Sequence, residues 1–277
     1  MEQRFVTFTT DFGASGHYVG TMKGVVYAIN PSARVVDISH EVESYDLLDG
    51  ALTIAQACSY FPAHTIHVVV VDPGVGSSRR PILARTEKYF FVAPDNGVLS
   101  LALERAQQAS VRNITAESYF LHPVSRTFHG RDIFAAVAGW LSTGLEPSDF
   151  GEEISDYVRL SIPAVKAAGN AIQGVVLKVD KFGNVITNIT PQDVPQLFAT
   201  SPPPFKIAVG KREITSMRNS YAEGASGEVF GILGSMGFLE LATNCGSAAQ
   251  ALGVAKGAEV VGSGKWEVES EKWKNGD

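Results

Sequence analysis

The stretch VVVVDPGVGSSRRP, from Val68 to Pro81, passes from four β-branched residues directly into a loop with an aspartate and two arginines. An unbroken run of β-branched residues is typical of a central strand that is covered on both faces, as the strands of parallel sheets are. Ligands of open α/β sheets bind outside the carboxyl ends of the strands. The stretch therefore predicts a buried strand that delivers Asp72 and Arg79 to the ligand-binding edge of a sheet.

The fold class follows from the segments around this strand. From Phe5 through roughly the first half of the chain, strand-like and helix-like segments alternate, which indicates an α/β domain with a largely parallel central sheet. Beyond Asp149 the sequence becomes rich in proline, glycine and alanine and then continues as short strands punctuated by glycines. This second pattern predicts a smaller, mostly antiparallel β domain. We expect the domains to span residues 1–165 and 171–265, with a charged tail over 266–277.

Composition narrows the class of partner. The chain has 277 residues and a formal net charge of −6, which argues against nucleic acid or an anionic membrane because both require a basic surface. No apolar stretch reaches the length of a membrane span. The two cysteines, Cys58 and Cys245, have neither the spacing of a disulfide framework nor that of a metal site. We expect a small-molecule substrate, no metal or other cofactor, and a cytoplasmic location.

Acids that follow predicted strands are the first candidate site residues. Asp11 follows the first strand, a position suited to holding a pair of sugar hydroxyls or a cation, and equally to capping a turn. Asp72 and Arg79 are seven residues apart across two glycines, close enough to pair. An arginine beside a carboxylate keeps it ionised and oriented, so the acid can polarise a water molecule. The same pair can also serve only to close the loop, and the residues alone leave both functions open.

Two further segments carry polar side chains near predicted turns. His129 lies in a glycine-containing loop, where it suits a proton carrier near neutral pH or a packed side chain, and Asp132 is expected to cap the helix that follows. Asp180 and Asn184 flank a hairpin turn, with Phe182 between them. A carboxylate and an amide suit the charged groups of an amino acid, but both residues are also favoured in turns for backbone reasons.

Six motifs in chain order resemble the S-adenosylmethionine (SAM) hydroxide adenosyltransferase family, whose relatives include fluorinases and chlorinases. Each motif is weak by itself, but six in register across both predicted domains are specific. They cover nearly the whole chain up to about residue 262: FTTDFG (8–13), DPGVGSSRR (72–80), APDNG (93–97), FHGRDIF (128–134), VDKFGNVITNI (179–189) and GSMGFLELATN (234–244).

The resemblance implies hydrolysis of SAM to adenosine and L-methionine by activated water that attacks the ribose 5′ carbon in line with the leaving sulfur. It also implies a homotrimer in which each site lies between the first domain of one subunit and the second domain of its neighbour. The residues that match the family's motifs form a water-activating set, Asp72, Arg79 and His129; a ribose acid, Asp11; and methionine-end groups, Asp180 and Asn184. Further substrate contacts are implied for Tyr45, Phe128, Phe182, Tyr221 and Ser235.

Three positions differ among the family's members. Fluorinase-like relatives carry a tyrosine at the position of Asp72 and a serine at that of Gly130, whereas the carboxylate of this chain repels a halide. Met236 stands where some relatives have arginine, which removes one expected contact to the methionine carboxylate. The alternatives to a hydrolase are a SAM-dependent halogenase, a non-catalytic protein that binds adenosine or SAM, and a metal hydrolase that uses Asp11, Asp72 and His129.

Overall fold

A computed structural model of the chain describes residues 4–265, so the predicted charged tail lies outside the described residues. Within the described part, the chain divides between Ser161 and Ile162 into two compact units. The sequence places the end of the first domain at residue 165, a few residues later. Between residues 4 and 265, no helix combines the length and the apolar character that a membrane crossing requires.

The described part of the first unit contains a seven-stranded sheet of β1 (Phe5–Thr10), β2 (Arg34–Ser39), β3 (Ile66–Val70), β4 (Pro81–Thr86), β5 (Phe90–Pro94), β6 (Ala109–Asn113) and β7 (Glu153–Ile154). The strand order is β2-β1-β3-β5-β4-β6-β7. Strands β2, β1, β3 and β5 are parallel, whereas β4, β6 and β7 pair antiparallel with their neighbours. The sheet is therefore mixed rather than largely parallel, because the short turn between β4 and β5 can only reverse the chain direction.

Helices cover this sheet, and every residue of β3 is buried, which confirms the predicted central strand. One core cluster joins apolar side chains of the sheet, such as Phe8 and Val68, to helical residues such as Met22 and Phe134. The helices are α1 (Tyr18–Ile29), α2 (Leu47–Ala57), α3 (Ser100–Glu104) and α4 (Ala136–Ser142), with a π-helical segment at Gly130–Ala135 and 3₁₀ turns at Cys58–Tyr60, Glu117–Tyr119 and Pro147–Phe150.

The second unit is built from short strands whose neighbouring pairs are antiparallel, which confirms the predicted antiparallel β domain. The strands are β8 (Lys166–Ala168), β9 (Ala171–Val179), β10 (Val185–Thr187), β11 (Phe205–Val209), β12 (Arg212–Ile214), β13 (Val229–Leu233), β14 (Leu239–Thr243) and β15 (Glu259–Gly264). Their order is β12-β11-β15-β9-β10-β14-β13, and β8 pairs with β9. The unit also contains α5 (Ala248–Leu252) and 3₁₀ turns at Pro195–Phe198 and Tyr221–Glu223.

Candidate active site

The loop that leaves β3 folds back so that Arg79 binds Asp72. The arginine Nε lies 3.0 Å from both carboxylate oxygens, and Nη2 lies 2.5 Å from Oδ2. Only 5% of the Asp72 side chain and 9% of the Arg79 side chain are exposed. The ion pair expected from the seven-residue spacing is therefore present, and it is largely removed from solvent.

Hydrogen bonds inside the loop and one close approach fix its shape. The Ser77 hydroxyl donates to the carbonyl of Gly74 at 2.6 Å and accepts from the backbone N–H of Arg79 at 3.3 Å. Gly76 has a φ of +77°, and a Cβ added there would lie 2.3 Å from the carbonyl oxygen of Arg126. Only glycine fits this position, because any other residue would be strained at this positive φ and its Cβ would clash with the Arg126 carbonyl.

His129 completes a three-residue set with the ion pair. Its Nδ1 lies 2.7 Å from Nη2 of Arg79. A guanidinium only donates hydrogen bonds, so Nδ1 is the acceptor and the proton of the neutral ring resides on Nε2. Burial lowers the pKa of His129 below its usual value, and the positive charge of Arg79 lowers it further. The imidazole is therefore neutral at neutral pH and presents an N–H donor at Nε2.

The guanidinium of Arg79 has one more feature. Its Nη1 is buried, and none of the residues between 4 and 265 accepts a hydrogen bond from it. The guanidinium also lies over the ring of Phe134 at 5.3 Å, which holds its plane. Arg79 thus orients Asp72 and His129 with Nε and Nη2 and keeps two N–H donors of Nη1 for an added acceptor.

The backbone geometry that presents His129 differs from the expectation for this segment. Asp132 does not cap a helix: the π-helical segment already begins at Gly130. The Asp132 carboxylate, 1% exposed, accepts hydrogen bonds from the N–H of Ser125 at 2.7 Å and from Arg131. The buried acid thus ties the segment before His129 to the helix that follows it.

Asp11 lies at the end of β1, the strand next to β3, and so at the same edge of the sheet as Asp72. Its Oδ2 accepts a hydrogen bond of 2.9 Å from the backbone N–H of Tyr45. Tyr45 has a φ of +64° and an exposed side chain. The structure therefore brings these two predicted residues together through the backbone of Tyr45, and the tyrosine ring remains on the surface of the unit.

Phe128 is mostly enclosed by its own unit. Its ring packs edge-on against Phe12 and Tyr18, with centroid distances of 6.1 and 5.2 Å. The Arg131 guanidinium lies 5.2 Å from the centroid of the same ring. Only 8% of the residue is exposed, and it belongs to the core cluster of the first unit, so a contact to substrate stays a prediction.

In the second unit, the turn between β9 and β10 joins the predicted methionine-end residues. Asp180 Oδ1 accepts hydrogen bonds from the backbone N–H groups of Phe182 and Asn184, both at 2.9 Å, and Oδ2 accepts from the Asn184 amide at 3.0 Å. The Phe182 side chain is exposed. The Asp180 carboxylate therefore stabilises the backbone of the turn, one of the two functions that the sequence left open. The same tight turn carries the carboxylate and the exposed ring of Phe182.

A buried acid near this turn was not predicted from the sequence. Glu240 on β14 is 7% exposed, and its Oε1 accepts a hydrogen bond of 2.6 Å from the Tyr221 hydroxyl. Burial raises the pKa of Glu240; the hydrogen bond from Tyr221 opposes this shift, and the nearby charge of Asp180 adds to it. The signal in the sequence is a single acid within the apolar strand GFLELAT. Ser235, also predicted, lies exposed in the turn between β13 and β14.

Within residues 4–265, no three His, Cys, Asp or Glu side chains are grouped as the ligands of a metal ion would be. Comparison with known proteins supplies the family. The family model described as SAM hydroxide adenosyltransferase N-terminal domain matches residues 6–151, and the model of the C-terminal domain matches residues 174–261. The chain belongs to the SAM hydroxide adenosyltransferase family.

The similar proteins include a named hydrolase, a named fluorinase and a solved structure of an uncharacterized protein. The chain is 36% identical over 261 residues to a protein of Salinispora tropica named (R)-S-adenosyl-L-methionine hydrolase, across 91% of this chain and 95% of the relative. It is 23% identical over 285 residues to a fluorinase of Nocardia brasiliensis, across 92% and 95% of the two chains. A crystal structure of an uncharacterized conserved protein from Thermotoga maritima has a TM-score of 0.86 and 38% identity, and covers 93% of this chain and 99% of that chain.

Family membership gives the three-residue set of the first unit a chemical context. The family's name, SAM hydroxide adenosyltransferase, specifies hydroxide, an oxygen nucleophile, as the acceptor of the adenosyl group. The set contains an anionic acceptor, a fixed cation and a neutral N–H donor. Such groups can orient a water molecule and accept its proton. The arrangement is therefore equipped for attack by water.

Proposed function

We propose that this protein hydrolyses SAM to adenosine and L-methionine, with water as the nucleophile at the ribose 5′ carbon. The observation that carries the proposal is the hydrogen-bonded set of Asp72, Arg79 and His129, with its largely enclosed ion pair, in a chain of this family. The hydrolase name of the Salinispora tropica relative points to the same reaction.

The proposed mechanism uses each residue for one task. The bond between the 5′ carbon and sulfur breaks, its electron pair stays on sulfur, and methionine leaves as a neutral thioether that needs no acid. Asp72 accepts a proton from water while the new carbon–oxygen bond forms, because a carboxylate is the acceptor of this set. His129 donates a hydrogen bond from Nε2 to the water oxygen, since Arg79 occupies Nδ1. General base assistance of this kind contributes about 10²- to 10⁴-fold.

The rest of the substrate is proposed to bind through the other predicted residues. Asp11 uses Oδ2 for the N–H of Tyr45, and its second oxygen remains an acceptor for the ribose hydroxyls. On the second unit, the carboxylate of Asp180 is suited to the methionine ammonium. The remaining contacts proposed for the substrate are those of Tyr45, Phe128, Phe182, Asn184, Tyr221 and Ser235.

A SAM-dependent halogenase is the second candidate, and the fluorinase relative is the observation that favours it. A halide 4 Å from the Asp72 carboxylate would be repelled by about 4 kcal/mol at an effective dielectric constant near 20. Arg79 offsets part of this repulsion, but its Nε and Nη2 donors are already directed at the carboxylate. The site is thus better suited to neutral water than to a halide.

Product analysis in ¹⁸O-labelled water tests the proposal. We expect methionine and adenosine that carries the label at the 5′ oxygen, whether or not a chelator is present. Formation of 5′-chloroadenosine when chloride is added would establish the halogenase instead. Binding of SAM without turnover would indicate a non-catalytic protein, and loss of activity on chelation would indicate a metal hydrolase.

The proposed assembly is a cytoplasmic homotrimer with each site shared between subunits, as the family resemblance implies. Mixing two inactive variants tests the sharing: Asp72→Ala disables the first domain's contribution, and Asp180→Ala disables that of the second. Refolded mixtures would regain activity, because some sites would then combine two intact domains. Light scattering gives the mass of the assembly, and a monomer or a mixture without regained activity would contradict this arrangement.

A further inference from the structure

A pair of side chains just after β5 reaches both ends of the loop that carries Asp72 and Arg79. Asn96 donates a hydrogen bond of 2.9 Å from Nδ2 to the carbonyl oxygen of Val71, the residue that directly precedes Asp72. Its Oδ1 accepts from the backbone N–H of Val98 at 3.2 Å, which fixes the amide in this orientation. The peptide that leads into Asp72 is therefore held by a side chain 25 residues away.

Asp95 holds the other end of the same loop through Arg80, the residue directly after Arg79. Its backbone N–H donates to the carbonyl of Arg80 at 2.8 Å. Its Oδ2 accepts from Nε and Nη2 of Arg80, at 2.9 and 2.7 Å. Asp95 Oδ1 also accepts from the N–H of Val158 at 2.8 Å, and its side chain is only 3% exposed. Two residues that are adjacent in the sequence, Asp95 and Asn96, thus hold the two ends of the loop.

The strand registers stop just short of these two ends. The register of β3 with β5 extends to Val68 and Val92, and that of β4 with β5 reaches Pro81 and Pro94. The peptides of Val71 and Arg80 lie just beyond the last paired residues, Val70 of β3 on β1 and Pro81 of β4 on β5. Hydrogen bonds from Asn96 and Asp95, including the one from the backbone N–H of Asp95, hold these peptides. A displacement of about 1 Å at a reacting group can cost about 10²-fold in rate, so anchors at these ends bear directly on the position of the Asp72 carboxylate.

We propose that Asn96 and Asp95 are positioning residues that hold the Asp72–Arg79 loop in its reactive geometry. This inference rests on the proposed function, in which Asp72 accepts the proton of water. Neither residue is assigned to the substrate. Their loss is therefore expected to lower kcat while the KM for SAM stays close to that of the wild type, because the groups proposed to hold the ribose and methionine ends are unchanged.

The chain offers a closely matched control for Asn96. Asn30 donates from Nδ2 to the Ser142 hydroxyl at 2.9 Å, and its Oδ1 accepts from the N–H of Ser32 at 3.1 Å. The geometry copies that of Asn96 at the end of α1, in the same unit and outside the candidate site. Asn96→Leu and Asn30→Leu thus each remove one donated and one accepted hydrogen bond without a change of charge.

The experiment measures kcat, KM and a titration of His129 by NMR in both full-length variants. For Asn96→Leu we expect kcat to fall about 10- to 100-fold with KM within twofold, and for Asn30→Leu neither to change. The pKa of His129, which faces Arg79, Asp72 and Asp132, should rise towards its usual value only in Asn96→Leu, because Arg79 moves away. Asn96→Asp keeps the bond to Val98 but replaces the donor to Val71 with a charged acceptor, so it should share the loss of kcat.

The outcomes separate this inference from the function on which it rests. A wild-type kcat and an unchanged His129 titration in Asn96→Leu would overturn the positioning role, as would an equal loss in Asn30→Leu. If the wild type itself forms no adenosine, the proposed function fails, and the NMR titration still decides whether Asn96 positions the loop. The NMR titration thus reports the arrangement of the loop independently of the assay for activity.

Discussion

Replacing Asp72 with asparagine removes one negative charge and leaves a side chain of nearly the same shape. In the wild type, the carboxylate accepts three contacts from Arg79 within 3.0 Å. The asparagine can keep one carbonyl acceptor for Arg79, but its amide end presents donors to a donor. The substitution therefore removes the proposed proton acceptor and half of an ion pair whose side chains are 5% and 9% exposed.

The expected magnitudes differ for rate and for stability. Loss of general base assistance predicts a fall in kcat of about 10²- to 10⁴-fold, which is about 2.7–5.4 kcal/mol of barrier at about 1.36 kcal/mol per tenfold. Breaking a buried ion pair costs about 3–5 kcal/mol. We expect the lower end, because Arg79 retains His129 as an acceptor and the Phe134 ring beneath its guanidinium. A protein of ordinary stability, about 5–15 kcal/mol, remains folded after this loss.

The assay follows adenosine release from SAM by chromatography, with SAM binding measured by calorimetry and stability by urea unfolding. Glu153→Gln is the control, since it also removes one negative charge from a carboxylate paired with arginine, Arg112, at the β7 edge of the same sheet. We expect this control to keep the wild-type kcat. The reasoning is refuted if the folded Asp72→Asn variant binds SAM and keeps more than a third of the wild-type rate.

Three further predictions concern stability and pH. Gly76→Ala should destabilise the protein by more than Gly227→Ala. The φ angles are +77° and +76°, so backbone strain costs each alanine about 1–2 kcal/mol, but only at Gly76 does the new Cβ also meet the Arg126 carbonyl. Equal urea midpoints for the two variants would contradict this. Burial lowers the pKa of His67 to about 3, so between about pH 6.5 and 3 only the unfolded state binds a proton at this histidine. The free energy of unfolding should therefore decrease as the pH is lowered through this range, by up to about 1.4 kcal/mol per pH unit. His67→Gln should reduce this slope. The lowered pKa of His129 places the acid limb of kcat/KM below pH 6.5, and a limb midpoint above 6.5 would show that the neutral ring is not required.

The parts of the fold that depend on local pattern were predictable from the sequence. The buried β-branched run became β3, and the glycine-punctuated second half became an antiparallel β unit. The direction of the strands was predicted less well. The segment around Glu87 and Lys88 reads as two strands and a turn, and a turn that short makes the pair antiparallel. The length of the connection between β4 and β5, rather than the composition of the segment, thus indicates that the sheet is mixed.

The candidate site shows the same division between near and distant partners. The contact between Asp72 and Arg79 was predictable, because both residues lie on one short loop with glycines between them. The anchor from Asn96 to Val71 was not, because it depends on β5 lying next to β3, and strand order is a property of the whole sheet. The contact between Glu240 and Tyr221 was missed for a related reason, although Tyr221 itself was predicted as a substrate contact: the two residues meet between different segments of the second unit.

The roles within the three-residue set follow from Arg79 rather than from the acid or the histidine. A guanidinium cannot accept a hydrogen bond, so its contact with Nδ1 fixes the tautomer of His129 and leaves that ring only a donor at Nε2. The neutral histidine then has no free acceptor for the proton of water, and Asp72 is the remaining base. The same contacts leave Nη1 of Arg79 buried with two N–H groups, which suit the oxygen that becomes negatively charged as its proton leaves. A lysine at this position could not hold the carboxylate, the imidazole and the nucleophile at once, because its single nitrogen lacks the planar fork that separates these three directions.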